Sequence, residues 1–564
     1  MSLTWLERKP DDARVAELEA AGYPRLLARL LALRGISAAE VKKFFSPSLA
    51  DLAAADSLPG VEAAAAAILA AVRAGKLIVV YGDYDCDGLA ATAILVRTLR
   101  AFGARVEAFI PGRTNEGYGL TDGAVARMLQ TFPDVGLVVT VDTGITAAKP
   151  IRELQARGIE CVVTDHHLPG VELPSCAVVN PKVAAPECLG DICGAGVAFF
   201  LSNYLVKRAQ EEGLYSGPKM AGPLLVLAGF ATVTDVVPLI GQNRILVVEA
   251  LNRFQTFAPL GLRELFARAS RAGATKLTGT DFGFVIGPRL NAAGRVGDVM
   301  SALELLLEND RERLRAIAQK VDLLNVERRT IEQTMTAKAL QQIRPGASAQ
   351  VIYIADGHIG VAGIVAANVM RHLEEPCPVC IVEATGHGSA RAPAGYNVHE
   401  ALGAASAALS RFGGHAAAAG FSVKENALEE FRQLFEGACA KQKAAHPGAC
   451  GTQYVYDAQV DVDDLSLEFV TRMRQMEPFG VGNEEPMFVM RGVQIQEVRT
   501  MSAGKHLAMK VCTSSGANSL RAVWWGHGDK AKTLKSNITH DILFTVDISD
   551  FNGRAVELYL VSMT

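Results

Sequence analysis

Residues 77–88 have the sequence Leu77-Ile78-Val79-Val80-Tyr81-Gly82-Asp83-Tyr84-Asp85-Cys86-Asp87-Gly88, in which a short apolar run leads directly into three carboxylates. The same arrangement recurs where Val141 precedes Asp142-Thr143-Gly144, and again where Thr164 precedes Asp165-His166-His167. Apolar, β-branched runs of this length are typical of buried parallel strands, and ligands bind beyond the carboxyl ends of such strands. The repetition therefore predicts a metal site at one edge of a parallel sheet.

Strand-like and helix-like segments alternate around these runs. The pattern predicts strands at 77–81, 106–110, 137–141 and 161–164, and helices at 61–74, 88–102 and 122–131. Strands that alternate with amphipathic helices are typical of doubly wound α/β domains. We therefore predict an α/β fold for this part of the chain.

The length of 564 residues exceeds what one hydrophobic core can hold, so we expect several domains. A helical pattern from 301 to 344 ends at Pro345-Gly346 and predicts a long connector between two lobes, with a cleft between them. Beyond 451, short alternating segments predict a small closed β-barrel. The predicted division is an N-terminal helical lead-in (1–55), a first α/β lobe (56–300), a long helical connector (301–345), a second α/β lobe (346–445) and a β-barrel (451–564).

The composition is that of an ordinary globular protein, with 49% hydrophobic and 21% charged residues. The net charge of −4 argues against coating nucleic acid by bulk charge, so any such contact must be local or metal-mediated. The longest apolar stretch, around 221–233, is too short to span a bilayer, and residues 1–5 lack the pattern of a signal peptide. Ten cysteines without a dense spacing framework fit a reducing compartment. We expect a cytoplasmic protein without membrane association.

Aspartate and histidine side chains at the predicted sheet edge supply oxygen and imidazole ligands, a set that suits Mn²⁺ or Mg²⁺. Two such ions about 4 Å apart can activate water and stabilise the leaving oxygen of a phosphodiester, so hydrolysis at phosphorus is the leading chemistry. An aspartate after a strand is more commonly a helix cap. Placing Asp83, Asp85 and Asp87 together, however, costs like-charge repulsion that a cation would relieve.

Four motifs in this order resemble those of the DHH phosphoesterases: Asp83–Gly88, Val141–Gly144, Asp165–His167 and Thr234–Leu239. Other segments resemble more narrowly the branch of this family formed by single-strand-specific exonucleases that degrade DNA from its 5′ end. Those segments are Pro111–Leu120, Gly287–Arg295, Gly413–Gly420 and Glu477–Asn483. The resemblance spans nearly the whole chain in order. It identifies the two lobes as a DHH catalytic domain and a DHH-associated substrate-binding domain, and the barrel as an OB-fold.

The resemblance implies two bound ions, Mn²⁺ or Mg²⁺, and a set of ligands for them. Asp142 would bridge the ions; Asp87, His166 and Asp235 would complete one site, and Asp83 and Asp85 the other. His167 would lie beside the scissile phosphate as a positioning or proton-handling group, although a partner that orients His166 is an alternative role. Water activated by the ions would attack phosphorus, and the products would be 5′ mononucleotides.

The resemblance also implies substrate contacts from both lobes, at Arg113, Tyr118, Arg289, Asn291, Ser389, Arg391, Gly414 and His415. Ser389 and Arg391 would bind phosphate, and the glycine-rich segment before His415 would let the backbone approach the strand closely. Arg289 is a candidate for the terminal 5′ phosphate, with a surface salt bridge as the alternative. Arg113 and Tyr118 would stack or wedge against a base, although Tyr118 could equally anchor its loop.

The barrel would bind single-stranded DNA, although a barrel that binds protein would show the same pattern. Trp524 and Trp525 point to opposite faces of a strand, so only one of them can stack on a base. The resemblance further implies single-strand-binding protein and recombination helicases as partners, in DNA repair and recombination. Two alternatives are a DHH phosphodiesterase for short oligonucleotides or cyclic dinucleotides, which would not need the barrel, and an inactive binding module, which would not need intact ligands.

Overall fold

The computed structural model describes residues 4–113, 116–184, 186–218, 220–269, 277–445, 453–513, 518–532, 534, 538–549 and 553–564. The chain divides into two compact units. The large unit comprises Leu52–Val237 and Gly241–Thr452, and the barrel unit comprises Met1–Asp51, Pro238–Ile240 and Gln453–Thr564. Thr114 and Asn115, in the predicted substrate loop 111–120, lie outside the described residues.

The N-terminal segment is mainly helical. It contains β1 (Thr4–Glu7), α1 (Asp12–Ala20), α2 (Arg25–Leu33) and α3 (Val41–Phe45). Asp11 caps α1 because its carboxylate accepts the backbone N–H of Ala13 at 3.0 Å. Leu27, Leu30 and Leu31 of α2 are buried in the same hydrophobic core as the barrel strands. The segment is therefore part of the barrel unit.

The first α/β lobe contains a five-stranded sheet in the order β3-β2-β4-β5-β6, with every pairing parallel. Its elements are α4 (Val61–Arg73), β2 (Leu77–Tyr81), α5 (Cys86–Ala101), β3 (Val106–Phe109), α6 (Asp122–Thr131), β4 (Val135–Val141), α7 (Ala148–Ala156), β5 (Glu160–Thr164) and β6 (Ala177–Val179). The predicted doubly wound pattern is confirmed. Because β2, β4 and β5 are neighbours and run the same way, their carboxyl ends share one edge of the sheet.

Helices complete this lobe. They are α8 (Pro181–Ala184), α9 (Gly194–Glu211), α10 (Ala221–Thr234), α11 (Gly241–Phe257), α12 (Leu260–Ala269), α13 (Gly279–Asp281), α14 (Gly287–Val296) and α15 (Val299–Leu307). Residues 224–232 of α10 are all buried, and this apolar helix ends at Asp235. By length and hydropathy, no single helix of the described chain could cross a membrane, whereas the bent pair Leu49–Ser57 and Val61–Arg73 meets those criteria.

The connector contains α16 (Arg311–Leu340), a helix of 30 residues that spans about 45 Å. The helical stretch predicted from 301 is interrupted before α16. Glu308 Oε1 accepts the N–H groups of Asn309 and Asp310, and Asp310 Oδ1 accepts those of Glu312 and Arg313. These side chains end α15 and cap α16, so the connector is one short helix followed by one long helix.

The second α/β lobe contains a five-stranded sheet in the order β10-β11-β9-β8-β7, in which only β7 and β8 run parallel. Its elements are β7 (Gln350–Ile354), α17 (Ile359–His372), β8 (Val379–Glu383), β9 (His387–Arg391), α18 (Val398–Ala404), β10 (Leu409–Gly414), β11 (Ala418–Val423) and α19 (Leu428–Ala445). The sequence predicted a second α/β lobe in this part of the chain. It did not predict the three antiparallel strands.

The C-terminal part of the barrel unit contains a closed barrel, which confirms the predicted OB-like architecture. Its elements are β12 (Gln453–Tyr456), β13 (Ala458–Gln459), α20 (Leu467–Met473), β14 (Phe488–Met501), β15 (His506–Cys512), β16 (Ser519–Trp524), β17 (Thr539–Ser549) and β18 (Ala555–Met563). The order β14-β15-β16-β18-β17 returns to β14 through a β14–β17 pairing. β1 pairs in parallel with β12.

Candidate metal centre

Seven side chains converge where β2, β4, β5 and α10 end. They form three groups whose potential ligand atoms lie within 4.8 Å of one another: Asp83, Asp85 and Asp142; Asp87, His166 and Asp235; and Asp142, His166 and His167. Asp142 belongs to two of these groups. All six ligands that the sequence predicted are therefore at one place, together with His167.

Asp142 has a left-handed backbone conformation, with a φ of 59°. Such a conformation is uncommon outside glycine and concentrates at functional sites. Gly194, at the start of α9, makes room for it, because a Cβ there would lie 2.7 Å from Asp142 Cβ and 2.7 Å from Asp142 Oδ1. The fold therefore requires a glycine beside this carboxylate.

The first turn of α9 holds Asp87. Gly194 N–H donates to Asp87 Oδ2 at 2.6 Å, and Ala195 N–H donates to Asp87 Oδ1 at 2.8 Å. The positive end of an 18-residue helix thus fixes a buried carboxylate in position. Gly194 and Ala195 were not predicted from the sequence. Their signal was the small-residue segment Gly194-Ala195-Gly196 at the start of an apolar helical run.

Asp85 combines the two roles that the sequence left open. Its Oδ1 accepts the N–H groups of Asp87 at 3.0 Å and Gly88 at 3.1 Å and so caps α5. The same residue belongs to the acidic group with Asp83 and Asp142. Helix capping therefore orients this carboxylate at the centre instead of competing with metal binding.

The electrostatics of the centre favour a cation. Burial, followed by the charge of neighbouring aspartates, raises the pKa of Asp83 and Asp142 well above the usual range and that of Asp235 to about 9. Asp83 Oδ1, Asp142 Oδ1, Asp235 Oδ2 and His166 Nε2 are buried without a hydrogen-bond partner among the described residues. Buried polar atoms are rarely left in that state. Divalent cations would satisfy these atoms and relieve the repulsion, so the residues fit Mn²⁺ or Mg²⁺.

His166 has the state that a metal ligand needs. Its Nε2 lies 3.2 Å from Asp142 Oδ1 and 3.7 Å from both Asp87 Oδ2 and Asp235 Oδ2. Burial lowers the pKa of His166 despite these carboxylates, which favours the neutral imidazole. The ring therefore presents a free nitrogen lone pair to the acidic group.

His167 is oriented by Asp165, which the sequence analysis did not single out. Asp165 Oδ1 accepts the His167 Nδ1 hydrogen at 2.7 Å, and Asp165 Oδ2 accepts Ile145 N–H at 2.9 Å. Burial acts to lower the pKa of His167, but the hydrogen bond to Asp165 and the negative charges of Asp165, Asp87 and Asp83 together outweigh burial, so the pKa lies above its usual value. Because Nδ1 is engaged, Nε2 is the ring nitrogen available for other contacts.

Tyr118 and Arg113 border the centre. Tyr118 Oη lies 3.2 Å from His167 Nδ1 and 3.5 Å from His167 Nε2, and 47% of Tyr118 is exposed. The Arg113 guanidinium lies 5.0 Å from the centre of the Tyr84 ring. Tyr84 stands between Asp83 and Asp85 in the sequence. Tyr118 and Arg113 are thus close enough to the carboxylates to contact a bound substrate.

The guanidinium groups of Arg113, Arg295 and Arg391 lie near one another between the two α/β lobes. Arg391 Nη1 donates to Ser389 Oγ at 3.0 Å, and Arg295 Nη1 donates to Gly360 O at 3.0 Å. Burial, followed by the charge of Arg113, lowers the pKa of both Arg295, to about 10, and Arg391. A cluster of positive charges of this kind favours the binding of an anion. Arg295 lies in the motif Gly287–Arg295, but the sequence predicted no role for it.

The other predicted substrate residues occupy varied positions. Arg289 pairs with Asp322 at 2.8 Å and donates to Val285 O, while Asn291 Oδ1 accepts Cys86 N–H at 2.9 Å. Gly414 has a φ of 138° and ends β10 at the turn that contains His415, whose N–H donates to Ala418 O. These contacts join α14 to α16 and to the start of α5, and they close the turn between β10 and β11. The substrate roles of these four residues stay predictions.

Three family models match the chain in order. The DHH family N-terminal domain matches residues 77–228, the DHHA1 domain matches 346–441 and the RecJ OB domain matches 456–561. The first two cover the two α/β lobes, and the third covers the barrel.

Relatives match over most of the chain. The single-stranded-DNA-specific exonuclease RecJ of Thermus thermophilus is 38% identical over 84% of this chain and 67% of its own length. RecJ of Dickeya dadantii is 33% identical over 99% of this chain and 98% of its own length. The crystal structure of Thermus thermophilus RecJ with Mn²⁺ has a TM-score of 0.85 at 33% identity and covers 100% of this chain and 79% of that chain. Its complex with Mg²⁺ has a TM-score of 0.80.

Proposed function

Because the chain belongs to the RecJ family of DHH phosphoesterases, we propose that it is a metal-dependent exonuclease that degrades single-stranded DNA from the 5′ end and releases 5′ mononucleotides. One observation supports the proposal: the four motifs bring six candidate ligand side chains together at the edge of a parallel sheet, in groups whose potential ligand atoms lie within 4.8 Å of one another. The chain also retains the OB domain of the exonucleases. An enzyme for dinucleotides alone would have no use for that barrel.

Asp142 would bridge two ions, since it belongs to two of the three ligand groups. Asp87, His166 and Asp235 would hold one ion, and Asp83 and Asp85 the other. When bound, Mn²⁺ or Mg²⁺ would lower the pKa of water and neutralise charge on the scissile phosphate. The amides of Gly194 and Ala195 keep Asp87 in position for this role.

His167 is proposed as the group that positions the scissile phosphate or handles its proton. Its Nδ1 is held by Asp165, and its raised pKa favours an imidazolium that can donate from Nε2. The alternative role, orientation of His166, receives no support from a hydrogen bond between the two rings among the described contacts, although the rings lie 4.4 Å apart.

Ser389, Arg391 and Arg113 are proposed to bind the 5′-terminal phosphate, with Arg295 beside them. The support is the cluster of guanidinium groups, which an anion would stabilise, and the Ser389 hydroxyl that orients Arg391. Tyr118 would contact the terminal nucleotide. Arg289, Asn291, Gly414 and His415 are proposed as further substrate contacts, with Arg289 a candidate for the terminal 5′ phosphate.

The barrel is proposed to bind the single strand. Single-strand-binding protein and recombination helicases are proposed protein partners in DNA repair and recombination, and the proposed location is cytoplasmic. The five-part division proposed from the sequence assigns catalysis to 56–300, substrate contact to 346–445 and strand binding to 451–564.

The test is digestion of single-stranded DNA labelled at the 3′ end, with and without Mn²⁺, beside matched duplex, RNA and a dinucleotide. We expect the labelled strand to be shortened from the 5′ end only when Mn²⁺ is present, and not at all by Asp142→Ala. Cleavage confined to the dinucleotide would instead support a phosphodiesterase for short substrates. Equal rates on blunt duplex and single strand would overturn the strand selectivity.

A further inference from the structure

A row of polar side chains crosses the sheet of the substrate-binding lobe. In the register of β9, β11 and β10, His387 is opposite Ser422, and Ser422 is opposite Arg411. Paired residues on adjacent strands project from the same face of a sheet. Ser389 lies two residues from His387 on β9 and therefore shares this face. The row thus lies on the same face as the proposed 5′-phosphate site.

Hydrogen bonds fix the row. Ser422 Oγ lies 2.7 Å from His387 Nδ1, and Arg411 Nε donates to the same oxygen at 3.1 Å. This arrangement engages one edge of the Arg411 guanidinium and leaves its two terminal nitrogens for another ligand.

Arg411 faces the catalytic lobe across a cavity of about 300 Å³. Arg113 and Tyr118 line the cavity on the catalytic side, and His387, Arg411 and Phe412 line it on the other. No carboxylate is among the lining residues that the structure describes. The cavity is therefore electropositive, and it reaches the metal centre through Tyr118, whose hydroxyl contacts His167.

Two arginines in or beside this lobe have acidic partners, whereas Arg411 has none among the described residues. Arg344 pairs with Glu436, and Arg432 pairs with Glu429. Among the described residues, neither Arg391 nor Arg411 forms an ion pair with a carboxylate, and both lie on the face that carries Ser389. An exposed guanidinium that is oriented but not neutralised is suited to an anionic ligand.

Glycines leave space beside the row. Gly413 and Gly420 are paired residues of β10 and β11, and a Cβ at either would meet no atom within 4 Å. They lie between Ser389 and Arg411 across the sheet. Two residues along a strand correspond to about 7 Å, a step of the same order as the spacing of successive phosphates in an extended single strand. A sugar–phosphate backbone can therefore lie over the glycines.

We propose that Arg411, held by Ser422, binds an internucleotide phosphate of the single strand, separate from the phosphate bound by Ser389 and Arg391. The inference rests on the proposed exonuclease function, since it concerns the same cleft. It assigns to the substrate-binding lobe a second contact with the DNA backbone, on the row formed by His387, Ser422 and Arg411.

The first test measures binding of a 5′-phosphorylated oligonucleotide by fluorescence anisotropy, with every protein carrying Asp142→Ala to prevent cleavage. Arg411→Ala should weaken binding roughly tenfold, the value expected for a lost charge-assisted hydrogen bond. The slope of log affinity against log salt should decrease in size by about 0.7, because one phosphate contact is lost. Ser422→Ala should give a smaller change in the same direction.

Arg371→Ala is the matched control. Arg371 is an exposed arginine of the same lobe that contacts Asn368 in the last turn of α17, so its loss changes the net charge equally. It lies about 18 Å of helix rise from Ile359, which lines the cavity. Equal affinity losses and equal salt slopes for Arg371→Ala and Arg411→Ala would overturn the proposal, because they would reflect general charge alone.

The second test identifies the phosphate. Single uncharged methylphosphonate linkages are placed at successive positions from the 5′ end, and binding is compared for proteins with and without Arg411→Ala. At one position the linkage should weaken binding to the parent but not to Arg411→Ala, since the contact is already lost. If the effects of the methylphosphonate linkage and of Arg411→Ala on binding are additive at every position, Arg411 does not contact an internucleotide phosphate. Failure of the unmodified protein to digest single strands would instead refute the proposed function itself.

Discussion

Gly194 and Asp142 are packed so closely that a single methyl group between them is excluded. The Cβ that alanine would add at Gly194 would lie 2.7 Å from both Asp142 Cβ and Asp142 Oδ1, and the N–H of the same glycine holds Asp87. One backbone position therefore sets the spacing of two carboxylates, one after β4 and one in the first turn of α5. The distance between the two proposed ion sites depends on it.

Gly194→Ala should weaken Mn²⁺ binding roughly 10- to 100-fold, as expected when a group that supports metal ligands is displaced. Calorimetric titration of Mn²⁺ measures this directly, without DNA. Gly196→Ala is the control, since its Cβ would meet Ile192 Cβ at 3.2 Å, away from the carboxylates. If both variants bind Mn²⁺ as the parent does, Gly194 does not position the ligands.

Mn²⁺ should stabilise the protein more as pH rises from 6 to 8. The pKa of Asp235 is raised to about 9 by burial and by Asp87, so the metal-free folded protein holds protons that the unfolded chain releases near pH 4. The free energy of unfolding of the metal-free protein therefore falls as pH rises through this range. Bound ions displace these protons, so the metal-bound protein does not lose this stability. The measurement is the difference in Tm with and without Mn²⁺ at each pH. The pH dependence should be smaller in Asp235→Asn, and a constant difference in Tm would contradict the prediction.

Asp165→Asn should reduce kcat roughly 10- to 100-fold by releasing His167 from its fixed orientation. The hydrogen bond to Asp165 raises the pKa of His167, so its loss should move the alkaline limb of the pH–rate profile to lower pH if His167 acts as an acid. Rate profiles at saturating Mn²⁺ provide the measurement. Mn²⁺ affinity serves as the control readout, because the proposed ligands are unchanged. A lower rate with an unshifted profile would limit Asp165 to a structural role.

Arg391→Ala should reduce the preference for 5′-phosphorylated over 5′-hydroxyl ends by about tenfold or more, since hydrogen bonds to charged groups contribute about 1.5–3 kcal/mol. The quantity to compare is kcat/KM on two oligonucleotides that differ only in the terminal phosphate. Arg371→Ala should keep the preference of the parent. A preference that survives Arg391→Ala would assign the terminal phosphate to other arginines.

The neighbouring residues Trp524 and Trp525 should respond differently to alanine. Trp524 is 4% exposed within the barrel core, so its removal should cost about 3–5 kcal/mol of barrel stability. Trp525 is 54% exposed beside His506, so its removal should leave unfolding nearly unchanged but weaken single-strand binding by about 1–3 kcal/mol. Chemical denaturation and anisotropy separate the two effects. Unchanged DNA affinity for Trp525→Ala would place the strand on another face.

The sequence predicted the parallel sheet and the metal centre because both depend on local patterns. Apolar runs such as 77–81 formed strands close to the predicted bounds, and the acidic motifs follow strand ends in a recognisable order. The alternation of Trp524 and Trp525 was likewise predictable from the two-residue period of a strand.

The antiparallel strands of the second lobe could not be predicted in this way. β9, β10 and β11 are rich in glycine, alanine and serine, residues that provide little strand signal on their own. Their pairing depends on contacts between distant segments. The support that Gly194 gives to Asp87 is similarly non-local, since the two residues are 107 positions apart.

The pairing of β1 with β12 makes the order of synthesis important for this chain. A ribosome produces Leu27 and Leu30 early, but the barrel strands that cover them emerge only after the whole large unit has been translated. The large unit can fold during that interval, whereas the N-terminal helices must wait with apolar side chains uncovered. We expect nascent chains of intermediate length to need protection by chaperones, and an arrested chain that ends before residue 453 to be an early target for proteases.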